Sequence, residues 1–268
     1  MSEGPYVHGY SPRESERLHD QADTLAELLH CDTRYDPGER VLEAGCGVGA
    51  QTIHLAANSP TARFTCIDIN PLSLEQARRL AESRQLTNVQ FRQASLFELP
   101  FDDASFDHVF VCFVLEHLAD PLGALAELRR VLKPGGTLTV IEGDHGSAYF
   151  HPDSPHARAA IQTLIDLQAT AGGDSLIGRR LYPLLRAAGF EQVHVRPREV
   201  YADASRPAWV EGFTRNTFTA MVAGVREAAI DAALLPAERF DQGLADLERT
   251  AGNNGTFCYT FFKAVAVR

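Results

Sequence analysis

Short β-rich runs alternate with helical stretches between residue 36 and about residue 140 of this chain. The strand-like runs are rich in Val, Ile and Phe, and they lie at 40–45, 62–69, 89–94, 106–113 and 135–142. Helical stretches lie between them at 51–59, 72–85 and 121–133. Such alternation is typical of βαβ units, in which helices connect consecutive parallel strands and cover the sheet. The pattern therefore predicts an α/β fold with a parallel sheet.

The alternation is interrupted twice in the second half of the chain. The polar residues 143–157 lead into a helix near 157–170, and residues 206–250 are mostly helical. A helix at 177–190 and strand-like runs at 191–201 and 256–268 continue the α/β pattern. A helical excursion as long as the second one exceeds what a simple connection needs. We therefore predict an N-terminal helical lid segment at 1–34 and a main domain at 35–268, with cap insertions at about 146–175 and about 206–250.

The composition argues against several classes of function. The formal net charge is −10 and no basic run occurs, whereas binding to nucleic acid requires clustered Lys and Arg. No apolar run approaches the roughly 20 residues of a membrane helix, and the polar N-terminus lacks the apolar stretch of a secretory signal. The five cysteines include no C-x-x-C pair, which fits reduced and mostly buried thiols. We expect a cytoplasmic enzyme without a nucleic-acid or membrane partner.

The residues at the ends of the first two strands carry the strongest functional signal. In an open parallel sheet, ligands bind at the carboxyl ends of the strands. The first strand is followed by Gly45, Gly47 and Gly49, which have no Cβ and therefore let a ligand lie directly on the backbone. The second strand ends at Asp68, whose carboxylate can accept hydrogen bonds from both hydroxyls of a ribose. This pair of features predicts a cofactor that contains a nucleoside.

The same residues do not select one cofactor. Gly45, Gly47 and Ala50 also satisfy the dinucleotide pattern G-x-G-x-x-G/A, with Asp68 at the expected distance. An NAD(P)-dependent oxidoreductase is therefore an alternative interpretation. A tight strand-to-helix turn that binds no ligand is another.

Five ordered segments are more specific than the glycines alone. They read VLEAGCGVG at 41–49, IDIN at 67–70, LPFDDASFD at 99–107, LEHL at 115–118 and LKPGG at 132–136. With these segments, residues 35–145 resemble the class I S-adenosylmethionine-dependent methyltransferases of the small-molecule "type 11" kind. The resemblance implies a Rossmann-like fold: a mostly parallel sheet of about seven strands, the last of them antiparallel, with helices on both faces and a helical cap.

The resemblance also implies that S-adenosylmethionine binds at the carboxyl ends of these strands. Glu43 and the loop 45–49 would hold the methionine end, Asp68 the ribose, and Ile69 and Leu96 the adenine. The full predicted cofactor set is Tyr10, Glu43, Ala44, Gly45, Gly47, Gln51, Asp68, Ile69, Asn70, Ser95, Leu96, Cys112, Phe113 and His117.

Three parts of this set need comment. The family often has Asp where this chain has Ser95, and a hydroxyl is a weaker acceptor than a carboxylate for the adenine amino group. Cys112 and Phe113 would line the floor beneath the sulfonium. Glu116 and His117 open the next helix, where an acidic residue can also simply complement the helix dipole.

The predicted catalytic set is His145, Glu142 and Tyr10. Methyl transfer from a sulfonium is an in-line displacement, so the protein supplies orientation, dehydration and, for a protonated acceptor, a base. His145 follows the fifth strand and fits a base by position and chemistry, although it could also only cap a loop. Tyr10 could cover the cofactor as a lid or pack on the sheet edge. Glu142 and Asp144 beside His145 form too small a group for a metal site, so we predict no metal.

We predict that the acceptor is a small natural product or metabolite, and that the enzyme could form a homo-oligomer. Aromatic residues at 149, 150, 209, 213 and 218 suggest an apolar pocket under the cap, although aromatics at helical spacing are also common in ordinary cores. The N-terminal segment and residues 141–146 resemble the branch that includes the carbon methyltransferase of teleocidin biosynthesis. Carbon methylation of a prenyl or indole-type acceptor is thus one alternative, and a cofactor-binding paralogue without catalysis is another.

Overall fold

The computed structural model describes the chain from residue 12 to residue 268. Eight strands in this range form one sheet. Their bounds are β1 Arg40–Ala44, β2 Arg63–Asp68, β3 Val89–Gln93, β4 Phe106–Cys112, β5 Leu132–Gly143, β6 Tyr149–His151, β7 Glu191–Asp203 and β8 Thr256–Val267. The spatial order is β3-β2-β1-β4-β5-β8-β6, and β7 also pairs with β8.

Strands β1 to β5 pair in parallel, whereas β8 is antiparallel to β5, β6 and β7. The prediction of a Rossmann-like, mostly parallel sheet with an antiparallel last strand is therefore confirmed. The structure adds the short strand β6, which the sequence did not predict. Its three residues lie in a polar, Pro-containing stretch, and their extended conformation depends on pairing with Thr256, Phe257 and Cys258 of β8.

The helices cover both faces of the sheet. Their bounds are α1 Pro12–His30, α2 Thr52–Asn58, α3 Pro71–Ser83, α4 Pro121–Val131, α5 Pro155–Thr170, α6 Leu181–Ala187, α7 Pro207–Trp209, α8 Ala220–Gly224, α9 Arg226–Asp231 and α10 Ala237–Thr250. Short 3-10 turns lie at Leu115–His117, His145–Ser147 and Ile177–Arg180, and a π-helix spans Val210–Thr219 between α7 and α8. Within residues 12–268, none of the helices combines the length and the apolar character needed to cross a lipid bilayer.

The sheet separates two hydrophobic cores, because successive side chains of a strand point to opposite faces. In β1, Val41 belongs to the first core and Leu42 to the second. The first core includes Leu25 of α1 and Phe213 of the π-helix, and the second includes Leu125 of α4. Helix α1 and the late helical segment therefore lie on one face of the sheet, which is where the site described below is formed.

A buried cation fixes the end of α1 to the sheet. Lys263 of β8 is 4% exposed, and its Nζ donates to the carbonyl oxygen of Leu29 at 2.9 Å, to Thr33 Oγ1 at 2.6 Å and to Asp32 Oδ1 at 2.5 Å. Arg198 of β7 also pairs with Asp32. Burial lowers the pKa of Lys263, and the bond to Asp32 opposes this shift. The charged amine is thus kept in a low-dielectric site by three oxygen acceptors.

We expect Lys263→Met to lower the free energy of unfolding by about 2 kcal/mol, because the buried oxygens of Leu29 and Thr33 lose their donor. Urea denaturation measures this change. The control is Lys133→Met, which breaks an ion pair with Asp107 at 2.5 Å on a side chain that is 43% exposed. An exposed pair contributes less than about 1 kcal/mol, so equal losses in the two variants would contradict the prediction.

Candidate functional site

A cavity of about 230 Å³ lies at the carboxyl ends of β1, β2 and β4, and α1 forms part of its wall. Most of the predicted cofactor residues meet there, although they come from distant parts of the sequence. Those that line the cavity are Gly45, Gly47, Gln51, Asp68, Ile69, Leu96, Cys112, Phe113 and His117. Parallel strand order explains this convergence, because the loops after β1, β2 and β4 all leave the same edge of the sheet.

The glycine loop has the open backbone that its sequence predicts. Gly47 has a φ of +51°, and a Cβ added there would meet no atom within 4 Å. Gly45 has a φ of +78°, and a Cβ there would lie 2.6 Å from a methyl group of Val114. Gly45 is therefore needed for close packing against the β4 loop, whereas Gly47 leaves free space for a ligand on the cavity side.

Asp68 connects the loops that follow β1 and β2. Its Oδ2 accepts a hydrogen bond from the Gly47 N–H at 2.8 Å, and its Oδ1 accepts one from the Asn70 N–H at 2.8 Å. Burial raises the pKa of Asp68, and these backbone donors counteract the shift. Each carboxylate oxygen keeps further acceptor capacity for a ligand hydroxyl.

Apolar side chains continue the cavity beyond Asp68. Ile69 is 43% exposed and Leu72 is 72% exposed, which is high for large hydrophobic residues. Leu96 and Ala94 also line this part of the cavity. The combination of an open glycine backbone, a carboxylate and apolar flanks fits a nucleoside whose flat base needs apolar contact and whose ribose needs acceptors.

Within residues 12–268, four members of the predicted cofactor set do not line the cavity, and a fifth member, Tyr10, lies outside that range. Glu43 is buried behind the loop, where Thr52 Oγ1 donates to its Oε2 at 2.6 Å, and burial raises its pKa to about 7. Ala44 is buried in the second core. Asn70 caps α3 by accepting from the backbone N–H groups of Leu72 and Ser73, and Ser95 accepts from Phe97 N–H. These residues shape the loops and do not face the cavity.

A second, smaller cavity adjoins the first. Leu18, Phe113 and His117 line both of them. The second cavity is further lined by aromatic side chains, namely Phe213, Phe218, Tyr259 and Phe261, and by polar side chains, namely Arg17, Gln21, Glu116 and His145. Phe113 has a φ of +58°, a conformation that is costly for a bulky residue.

The π-helix supplies part of the aromatic wall. Phe213 and Phe218 both lie in it, and their ring centroids are 6.4 Å apart. Thr217 Oγ1 donates to the carbonyl oxygen of Gly212 at 2.7 Å within the same segment. π-Helical segments occur often at functional sites, where they place side chains that a regular α-helix would rotate away. The predicted cap aromatics are thus divided: these two line the cavity, whereas Phe150 is buried in the first core and Tyr149 is 62% exposed.

His145 lies in the wall of the second cavity. Its Nδ1 is 2.7 Å from the hydroxyl of Tyr259, and its ring stands edge-on to Phe218. Burial, with the nearby His117 and Arg17, lowers the pKa of His145 to about 3, so the imidazole is neutral near pH 7. Sequence reasoning found His145 but missed Tyr259, because a tyrosine in an apolar strand carries no sign of its partner.

Glu142 takes a different place from the one predicted for a catalytic group. It is fully buried, and its Oε1 accepts from the backbone N–H groups of Val114 at 3.1 Å and Leu115 at 2.8 Å. It lines neither cavity, so the structure gives it an anchoring role for the loop after β4. Asp144 is held by two bonds from Arg179, at 2.6 and 2.7 Å. Tyr10, the third predicted catalytic residue, lies outside the described residues.

Sequence reasoning missed the contribution of α1. Its first turns supply Glu14, Ser15 and Leu18 to the first cavity and Arg17 and Gln21 to the second. Arg17 donates two hydrogen bonds to Glu14, at 2.8 and 2.6 Å, and one to Gln21 at 3.0 Å. The sequence predicted a helical segment within residues 1–34, but only the packing of α1 shows which of its polar residues line the site.

Comparisons with known proteins identify the family. The family described as "Methyltransferase domain" matches residues 42–140. The methyltransferase str2 of Strobilurus tenacellus is 30% identical over 271 residues, which are 97% of this chain and 95% of that protein. An uncharacterized 37.1 kDa protein in transposon TN4556 of Streptomyces fradiae is 40% identical over 191 residues, which are 70% of this chain but only 54% of that protein.

A solved structure has the same fold. The [4+2]-cyclase SpnF is 22% identical, and the match has a TM-score of 0.56 and covers 100% of this chain and 88% of that one. The antiparallel β8 between β5 and β7 also differs from the dinucleotide-binding sheet, which has the order 3-2-1-4-5-6. The alternative of an NAD(P)-dependent oxidoreductase is therefore not favoured. The chain belongs to the class I S-adenosylmethionine-dependent methyltransferases.

Proposed function

We propose that this protein transfers a methyl group from S-adenosylmethionine in the first cavity to a small molecule in the second. One observation carries the proposal: the two cavities share a wall made of Leu18, Phe113 and His117. Because the cavities meet at these residues, a methyl group on the donor sulfur at this boundary would be in direct contact with an acceptor atom in the second cavity, as in-line displacement requires.

In the first cavity, each part of the cofactor would lie against residues with complementary hydrogen-bonding or apolar groups. The Asp68 carboxylate would accept from the ribose hydroxyls, and Ile69, Leu72 and Leu96 would pack against the adenine. The glycine loop would lie against the remaining methionine portion, because Gly47 leaves open space there. When bound, S-adenosylmethionine supplies an electrophilic methyl group on a positively charged sulfur.

In the second cavity, side chains of this protein would orient the acceptor and exclude water from it. Phe213, Phe218 and Phe261 offer flat apolar surfaces, which exclude water and favour an acceptor of limited size with an apolar or aromatic body. The cavity lies beneath the π-helix and against the sheet, which favours a small molecule over a protein. Holding the acceptor atom in line with the methyl group supplies a large part of the rate enhancement in reactions of this kind.

His145 is the proposed acceptor-side catalytic residue. Its neutral imidazole can accept a hydrogen bond through Nε2 when Nδ1–H donates to the Tyr259 hydroxyl. A hydroxyl becomes strongly acidic as its oxygen gains a methyl group, so even a weak base can take its proton. In this arrangement Tyr259 acts as a positioning residue, because its hydroxyl holds the His145 ring in place at 2.7 Å from Nδ1.

We expect Asp68→Ala to weaken S-adenosylhomocysteine binding by about 2 kcal/mol, or roughly thirtyfold, because bonds from the ribose to a charged acceptor are lost. Isothermal titration calorimetry measures the affinity, and circular dichroism checks the fold. Asp203→Ala is the matched control, since Asp203 is the last residue of the edge strand β7 and caps only Ser205. Unchanged affinity in a folded Asp68→Ala protein would refute the assignment, as would tight binding of NAD(H) to the wild type.

We expect His145→Ala to lower kcat by about a hundredfold or more on an acceptor found by screening metabolites for a mass gain of one methyl group. Affinity for S-adenosylhomocysteine should stay the same, since His145 does not line the first cavity. Tyr259→Phe should lower kcat by about tenfold, because it removes only the bond that orients the ring. His156→Ala is the control, and a full rate in His145→Ala would contradict the role.

The pH profile provides a further check on the role of His145. Because the folded-state pKa of His145 lies near 3, well below its ordinary value of 6.5, the imidazole stays unprotonated from about pH 8 down to about pH 5. The wild-type rate should therefore show no acidic limb from this residue in that window. A limb with a midpoint near 6.5 that disappears in His145→Ala would show that the buried, neutral state is wrong.

A further inference from the structure

A buried histidine of α1 contacts a side chain of the first cavity. His30 is 1% exposed, and its Nε2 lies 2.6 Å from Oε1 of Gln51. Gln51 follows the glycine loop and lines the first cavity, whereas His30 does not. The two residues are 21 positions apart in sequence. His30 ends α1 and Gln51 immediately precedes α2, and both helices contribute residues to the first core. The histidine thus reaches the cavity only through Gln51.

The surroundings of His30 fix its protonation state. Its ring packs on Phe110 at 5.7 Å and is stacked on His54 at 6.2 Å. Burial lowers the pKa of His30 to about 4; the bond to Gln51 opposes the shift, and the positive charge of Lys263 adds to it. His54, in turn, has its Nε2 3.1 Å from Asp23 Oδ1. His30 is therefore neutral near pH 7, with one ring nitrogen protonated.

The geometry also selects the tautomer. An amide oxygen only accepts hydrogen bonds, so His30 Nε2 must carry the proton and donate it to Gln51 Oε1. His30 Nδ1 then carries no proton, and it has no hydrogen-bond partner among the described residues. The bond from His30 holds the Gln51 oxygen, and the NH₂ group of Gln51 is a pure donor for a ligand. The Gln51 side chain makes no capping bond to α2 that would compete for this group.

We propose that His30 is a positioning residue that holds the Gln51 amide so that its N–H donors bind the α-carboxylate of the methionine portion of the cofactor. This inference rests on the proposed function. The carboxylate is negatively charged and only accepts hydrogen bonds, so it matches a group that only donates. Asp68 accepts, and the apolar residues beyond it suit the base, which leaves Gln51 beside the glycine loop for the amino-acid end.

The experiment compares two ligands that differ in the amino-acid portion. S-adenosylhomocysteine contains it, and 5′-methylthioadenosine lacks it but keeps the adenine and the ribose. Both are titrated by calorimetry into the wild type, His30→Leu, His30→Gln, Gln51→Ala and the double variant His30→Leu/Gln51→Ala. His54→Leu is the matched control, because the His54 ring stacks on His30 and pairs with Asp23, whereas the bond from His54 to Gln51 comes from its backbone N–H, which leucine keeps.

We expect His30→Leu to weaken S-adenosylhomocysteine about tenfold, as for loss of a well-oriented bond to a charged group, and to leave 5′-methylthioadenosine unchanged. His30→Gln should restore most of the affinity, since its amide can also donate to Gln51 Oε1. Gln51→Ala should cause at least the same loss, and the double variant should lose no more than Gln51→Ala, because the two residues act as one unit. His54→Leu should change neither affinity.

Other outcomes distinguish a failure of the role proposed for His30 from a failure of the proposed methyltransferase function. Equal weakening of both ligands in His30→Leu would show a merely structural role, and unchanged S-adenosylhomocysteine affinity would show no role; either result overturns the inference. If His30→Leu does not fold, His30→Gln and Gln51→Ala carry the test, and a Gln51→Ala protein with wild-type affinity for S-adenosylhomocysteine overturns it. A wild type that binds neither ligand overturns the proposed function itself.

Discussion

The Asp68 carboxylate holds together the two loops on which the first cavity depends. A carboxylate at this depth is unfavourable unless donors surround it, and burial does raise its pKa. The Gly47 and Asn70 N–H groups supply those donors, at 2.8 Å each. Gly47 has a positive φ, which a residue without a Cβ adopts at little cost, and it leaves open the space that a side chain would fill. The same loop conformation that stabilises the buried Asp68 carboxylate therefore also leaves an open backbone surface on which the proposed nucleoside cofactor would lie.

Much of the fold could be predicted from the sequence because its signals are local. The strands β1 to β5 are apolar runs bounded by turn residues, and side chains at alternate positions reach two different cores. Strand β6 and the π-helix at Val210–Thr219 could not be predicted in this way. The first is extended because it pairs with β8, which lies more than 100 residues later in sequence. The π-helix has an apolar face of the kind that any amphipathic helix shows, so its π-type hydrogen bonding leaves no sign in the sequence. This segment packs against α1 and β7.

The residues of the site also fall into two groups, those with a local sequence signal and those placed by contacts with remote segments. Residues that follow a strand end, such as Gly47, Asp68 and Phe113, could be predicted because topology brings all these ends to one edge. Glu43 and Ser95 were predicted from the family resemblance, but neither lines a cavity. Glu43 accepts a hydrogen bond from Thr52, and Ser95 accepts one from the backbone N–H of Phe97. Contacts between side chains that are far apart in sequence, such as Tyr259 and His145, cannot be predicted from the hydrophobic pattern of either segment.

The charge balance at the shared wall and in the adjoining second cavity is the property that the sequence pattern reveals least. His117 and His145 carry ordinary histidine side chains, yet burial and the nearby Arg17 lower their pKa values to about 4 and about 3. Arg17 itself is balanced by Glu14 through bonds of 2.6 and 2.8 Å. In the proposed complex, a sulfonium would stand close to this wall, and a protonated imidazole there would repel it by several kcal/mol at a low effective dielectric constant. Neutral rings avoid that repulsion and still offer a lone pair to the acceptor, so the burial that weakens these histidines as bases is also what makes them compatible with a cationic methyl donor.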